Sequence, residues 1–164
     1  TRRPMRIVHC SDLHLDRPFA ALDRDRAVRR RRDLRAALER VVDLAVDRHA
    51  DLITIGGDLW EDEHVTSDTR QFVARLLERA GLPVVIAPGN HDPFLSGGPY
   101  ARTAWPSNVR VVDSQTPVAL PFGEVTLWAV GWGGGRLDLE WLASFRVPDD
   151  GRVHLLLLPL IIKR

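Results

Sequence analysis

Three short pieces of the chain hold residues able to do chemistry together: Asp12-Leu13-His14, Gly57-Asp58 and Gly89-Asn90-His91-Asp92. Asp12 and His14 lie two apart, so in extended backbone their side chains point the same way and reach one ion. Gly56 and Gly57 let the backbone turn sharply before Asp58, whose two oxygens could bridge a pair of ions. Asn90 offers a neutral carbonyl ligand. His91 could protonate a leaving alkoxide, and Asp92 could accept a hydrogen bond from that imidazole and fix its orientation. Oxygen and imidazole ligands suit divalent ions such as Mn²⁺, Fe²⁺ or Zn²⁺. Taken singly, each motif has a plain structural reading: Asp12 as a turn cap, His14 as a solvated loop residue, Asp58 as an ordinary strand end. Taken together and in order, they point to metal-assisted hydrolysis of a phosphate ester.

The elements that must position these residues are legible as apolar runs. Arg6–Cys10, Leu52–Ile55 and Val84–Ala87 read as buried strands, each ending where a motif begins. In an open α/β sheet, loops leaving the carboxyl ends of neighbouring strands converge on one crevice. Between the strands, apolar spacing predicts a helix over about Asp25 to Arg48 and another over Ser67 to Ala80, with Thr66 or Ser67 as N-cap and Gly81 beyond its end. This is the alternation of parallel βαβ units. After Asp92 a long irregular connection rich in Pro and Gly is expected, and such loops often carry function. Short strands over Val109–Val112, Val118–Leu120 and Val125–Val130 follow, then a short helix over Asp138–Phe145 and a buried strand over Val153–Leu158. Together these late strands read as a second sheet packed on the first.

With 164 residues the chain is one domain, long enough to bury a core. Its net charge of +1 gives no global attraction to nucleic acid, so any such affinity must come from a local patch. The one cysteine, Cys10, excludes an internal disulfide, agrees with a reducing compartment and reads as strand packing. No apolar segment follows the early arginines as a secretion signal would require, and the terminal apolar run is too short to span a bilayer, so the reading is cytoplasmic. Four successive helical positions, Arg29–Arg32, sweep about 300° around the axis and form no single phosphate-binding stripe. They read first as compositional, with a DNA-backbone contact as the sharper alternative. Glu61, Asp62 and His64 follow Asp58 closely, either as groups supporting the site or as a solvated loop. The five tryptophans read as core, and Gly133–Gly135 as a turn.

The segments HCSDLHLDRPF, ITIGGDLWED and APGNHD are similar to those of the calcineurin-like metallophosphoesterases, most of all the SbcD-type and YhaO-like DNA-repair exonucleases. The resemblance is strong over residues 5 to about 92. It implies an α/β fold in four layers, two mixed sheets between helices, with the second sheet incomplete here. It also implies two divalent ions, most often Mn²⁺. Carried over, Asp12 and His14 would bind the first ion, Asp58 would bridge both, Asn90 would bind the second, and His91 would be the catalytic histidine. The implied reaction is phosphodiester hydrolysis by metal-activated water, with DNA as substrate and an SbcC-like ATPase as partner. A small-molecule phosphodiesterase or phosphatase of the same superfamily, or an inactive partner-binding module, are the alternatives.

The chain departs from that pattern late. The resemblance implies a histidine after the strand over Val153–Leu158, where Pro159 stands, and a later G-H-x-H that the sequence lacks. His154 lies four residues before that strand's end, about 13 Å away at 3.3 Å per residue. Residues 1–158 therefore read as an incomplete phosphoesterase domain and 159–164 as an atypical tail, since it holds the one Lys and two of the six Ile. Such a shift reads as truncation with an altered frame, or as residues added to the natural chain. The expectation is weak, mononuclear metal binding and little turnover.

Overall fold

A computed structural model describes residues 3–135 and 139–159. The elements follow the order β1 (Ile7–Cys10), α1 (Arg24–Asp47), β2 (Leu52–Ile55), α2 (Ser67–Ala80), β3 (Val84–Ile86), α3 (Pro99–Arg102), β4 (Val109–Val111), β5 (Val118–Phe122), β6 (Val125–Ala129), α4 (Glu140–Ser144) and β7 (Val153–Leu157). One sheet runs β1-β2-β3-β4 with every neighbouring pair parallel, and the other runs β5-β6-β7. In the second sheet β5 is antiparallel to β6, and β7 is parallel to it.

Local signals account for both long helices. The Asp23 carboxylate caps α1 by accepting from Arg26 N at 2.9 Å. Thr66 caps α2 by accepting from Thr69 N, and Gly81 ends it at φ 64°, a left-handed turn that glycine adopts without a Cβ clash. The apolar stripes Leu38, Val42, Ala45 and Val73, Leu76, Leu77 pack on Ile53, Ile55, Val84 and Ile86, which face one side of the first sheet. Leu52, Val85 and Ala87 face the other side and meet Leu127, Ala129 and Leu157 of the second sheet. β2 and β3, buried on both faces, are therefore the continuous apolar runs expected of central parallel strands. On the outer face of the second sheet, Trp128 meets Phe145 edge-on at 5.2 Å, and Phe145 meets Trp141. The layers are thus helices, parallel sheet, mixed sheet and a short helical cover.

Three expectations change. β4 joins the first sheet, parallel to β3, and not the second. A three-residue strand carries too little periodicity to say which sheet it enters. The first sheet is accordingly parallel throughout its described strands. β7 is an edge strand with Val153, Leu155 and Leu156 exposed, where a buried strand was expected. The connection after Asp92 contains the single helical turn α3, opened by Pro99 and too short for a periodic signal. Residue 138, the expected start of the late helix, and the tail residues 160–164 lie outside the described residues. Among the described residues no helix is long and apolar enough to cross a membrane. Burial pushes the Cys10 thiol up to about 11, which suits a packing role over a reactive one.

Candidate metal centre

The loops leaving β1 and β2 run side by side beyond the sheet. Asp12 N donates to Gly57 O at 3.1 Å, His14 N to Asp58 O at 2.9 Å and Leu15 N to Leu59 O at 3.0 Å. Asp12, His14 and Asp58 all sit in the left-handed region, at φ 56°, 47° and 54°. Such conformations are uncommon outside glycine, least so for Asp, Asn and His, and they cluster at functional sites.

The loop leaving β3 is tied to this pair by Asp92, which is fully buried. One carboxylate oxygen accepts from Gly89 N at 2.6 Å and Asp58 N at 2.9 Å; the other accepts from Leu59 N at 2.7 Å and the Tyr100 hydroxyl at 2.6 Å. Burial pushes the Asp92 carboxyl up to about 7, against the pull of its bonds from Tyr100, Gly89 and Leu59. Asp58 in turn accepts from His91 N at 3.0 Å. Close approach of the two loops needs Gly89. A Cβ there would collide with the Asp58 carboxylate and come within 2.7 Å of Asp58 N. Gly89→Ala is therefore expected to cost about 1–3 kcal/mol by overpacking. It should also displace Asp58, so thermal unfolding and Mn²⁺ titration should both change; an unaltered pair of curves would contradict this account.

A single carboxylate then orients two imidazoles. Glu61 Oε1 lies 2.9 Å from His14 Nδ1, and Glu61 Oε2 lies 2.8 Å from His91 Nδ1. A carboxylate only accepts, so both rings carry their proton on Nδ1, and in the neutral rings Nε2 is left as a free lone pair. The rings meet edge-on with centroids 4.8 Å apart. His14 Nε2 stands 3.9 Å from Asp58 Oδ2, too far for a hydrogen bond. Ligands held at roughly 2.0–2.2 Å around one tetrahedral ion are about 3.4 Å apart. The ligating atoms of His14, Asp58 and His91 all lie within 4.8 Å of one another. The His14 imidazole, fixed by an outer carboxylate, and the Asp58 carboxylate fit a divalent ion by donor type, and His91 stands beside them, oriented by the same carboxylate. The hydrogen bond to Glu61, helped by nearby negative charge, raises the proton affinity of His91 above its ordinary value.

The expected site residues fare differently. His14, Asp58 and His91 come together. Asp12 is not among the three grouped residues: it is exposed and its carboxylate accepts from Ser11 Oγ at 2.6 Å. The extended backbone assumed for Asp12-Leu13-His14 is absent, since both Asp12 and His14 take left-handed φ values. Asn90 is exposed on the turn before His91. Asp92 does not hold the His91 imidazole, as was expected; its oxygens serve three backbone amides and Tyr100, and Glu61 takes the imidazole instead. Glu61 stood in the sequence only as one of three open candidates, and its spacing of three residues after Asp58 was the available signal. His64 is exposed. Tyr100 carried no signal in its Pro- and Gly-rich surroundings. The end of β7 does reach the centre, and Pro159 is the residue it brings, buried 3.4 Å from where a Gly57 Cβ would stand. His154 is bound elsewhere, between Trp128 Nε1 at 3.0 Å and Asp150 at 3.0 Å.

The pattern of the calcineurin-like phosphoesterases matches residues 5–157. The chain belongs to that family. The family's members are metal-dependent hydrolases, in keeping with a cluster of imidazole and carboxylate donors at three strand ends. The chain is 31% identical over 159 residues to the metallophosphoesterase YhaO of Bacillus subtilis (strain 168), covering 90% of this chain and 38% of that protein. It is 30% identical over 91 residues to the DNA double-strand break repair protein Mre11 of Saccharolobus solfataricus, covering 54% of this chain and 23% of that one. Mre11 of Aeropyrum pernix is 34% identical over 91 residues, covering 53% and 21%. The chain thus spans well under half the length of each of these relatives.

Proposed function

We propose that this chain is the catalytic core of a DNA phosphodiesterase of the exonuclease type, with His14 and Asp58 holding a divalent ion, Mn²⁺ by preference. His91 is the acid that protonates the leaving alkoxide. The observation that carries this reading is the Glu61 carboxylate shared by His14 and His91, because it fixes both imidazoles through Nδ1 in one cluster with Asp58. An ion bound there supplies positive charge to the phosphoryl oxygens. The hydrogen bond to Glu61 raises the proton affinity of His91, which favours its acid form. Similarity to the two Mre11 proteins, whose names record double-strand break repair, favours DNA over other esters. An ATPase subunit of the SbcC kind and a cytoplasmic setting belong to the same proposal.

The exposed Asp12 and Asn90 are proposed as further oxygen ligands at the same edge. Pro159 stands beside Gly57, where the family resemblance implies a histidine, so we infer one weakly held ion rather than a tight pair. Calorimetry is expected to give at most one Mn²⁺ per chain, and Asp58→Asn to abolish it together with hydrolysis of bis-p-nitrophenyl phosphate and end-labelled DNA. Retained Mn²⁺ binding in that variant would overturn the assignment. Turnover of the nitrophenyl ester without any of DNA would turn the reading toward a small-molecule phosphodiesterase.

A further inference from the structure

The loop from Asp16 to Leu22 leaves the metal centre directly. Arg17 N donates to His14 O at 3.2 Å, so the loop starts at a residue of the metal centre. The loop is anchored on both sides. Asp16 accepts from Thr66 N at 2.9 Å and Thr66 Oγ1 at 3.1 Å, and Arg31 donates to Pro18 O at 3.4 Å. Yet its side chains are not spent on the core. Arg17 and Leu22 are exposed, and Phe19 is half-buried with its backbone at φ 54°. A bulky aromatic residue in the left-handed region is a genuine outlier, of the sort held where a site requires it. The Arg17 guanidinium carbon lies 6.0 Å from the centroid of the Phe19 ring.

Beside this loop lies a groove of about 700 Å³ lined by Arg17, Phe19, Leu22, Arg30 and Leu34. Its surroundings are strongly cationic. Between residues 17 and 32 there are seven arginines and two aspartates, in a chain whose net charge is only +1. One of the aspartates, Asp23, is already engaged as the α1 cap and with Arg26. Of the run Arg29–Arg32, Arg30 faces the groove and Arg31 pins the loop, so the run divides its roles around the helix.

We propose that this groove is the subsite for the single-stranded nucleic-acid segment adjoining the scissile phosphodiester, with Phe19 as stacking face for a base and Arg17 and Arg30 on flanking phosphates. The inference rests on the DNA phosphodiesterase reading above. A free phosphate would leave Phe19, Leu22 and Leu34 unused, and an apolar ligand would leave the arginines unpaired. A strand of alternating bases and phosphates uses both, and stacking on an aromatic face tolerates any sequence.

The test is fluorescence anisotropy of a labelled 12-nucleotide oligothymidine with the whole chain in EDTA, over a range of salt. Phe19→Ala is expected to weaken binding at least fivefold. The exposed double variant Arg17→Gln/Arg30→Gln is expected to flatten the log Kd against log salt slope by about 1.4, roughly 0.7 per lost phosphate contact on a single strand. Arg110→Gln, an exposed arginine on β4, should change the slope little. If the wild-type chain binds the oligonucleotide and the double variant binds it with the same slope, the subsite is wrong while the DNA reading stands. If the wild-type chain hydrolyses bis-p-nitrophenyl phosphate with Mn²⁺ but binds no oligonucleotide, the DNA reading fails and this subsite with it. Tighter binding of a duplex than of the single strand also overturns the proposal.

Discussion

Replacing Asp92 by Ala is expected to destabilise the fold by about 3–5 kcal/mol, toward the upper end for substitutions that strand buried polar groups. The side chain is fully buried and accepts four hydrogen bonds, from Asp58 N, Leu59 N, Gly89 N and the Tyr100 hydroxyl. Ala leaves all four donors without a partner, and each buried orphan costs about 1–3 kcal/mol. Asp92→Asn should be nearly as damaging, because the amide nitrogen would face donors with a donor. Tyr100→Phe removes one partner only, and a loss of about 1–2 kcal/mol is expected. Denaturant unfolding of the three variants gives the ranking directly. An Asn variant with an unchanged midpoint would show that Asp92 does not clamp the loops. The same substitution should remove Mn²⁺ binding in whatever folded fraction survives, since Asp92 fixes the amides on either side of Asp58.

The second large effect is expected at Glu61. Glu61→Gln keeps one acceptor oxygen and turns an amide group toward the other imidazole, so only one of His14 and His91 stays oriented. Loss of such an outer partner typically costs 10–100-fold in metal affinity or activity. The change also has a pH signature of defined sign. The hydrogen bond from His91 to Glu61 is the largest cause of the raised proton affinity of His91, so Gln should bring that affinity back down. The folded state holds the His91 proton more tightly than the unfolded state does. The stability this pair contributes is therefore fully present below pH 6.5, the ordinary value for the group, and is lost as pH rises through the raised folded value. Titration of the His91 ring by NMR in the metal-free chain should show a lower midpoint in the variant. With Mn²⁺ present, the alkaline limb of hydrolysis should move to lower pH. An unmoved His91 midpoint would mean that Glu61 does not hold this ring in solution.

These two residues mark the limit of what loop sequence conveys. Both lie within a few positions of Asp58 or His91, and both motifs were visible. Their partners were not. Glu61 meets His14 across 47 positions and Asp92 meets Leu59 across 33. An aspartate beside a histidine invites pairing with it, but the backbone here gives the buried position to the aspartate and leaves His91 more exposed.

By itself the sequence determined the strands that end at the site, the limits of α2 and the family. Apolar runs, a Thr cap and a C-terminal glycine act within a few residues, so their outcome is written locally. It also located the end of β7 at the centre, with Pro159 there and His154 too far back to serve. Only the tertiary structure decided that Asp12 faces Ser11, that Glu61 orients two imidazoles, that Asp92 binds amides, and that β4 joins the parallel sheet. In each case the deciding interaction is a hydrogen bond or a backbone conformation set by another loop. Left-handed φ values at Asp12, His14 and Asp58 give these loops a backbone course that an extended reading does not anticipate. Such conformations persist because neighbouring strands hold both loops in place, and no pattern within one segment encodes that.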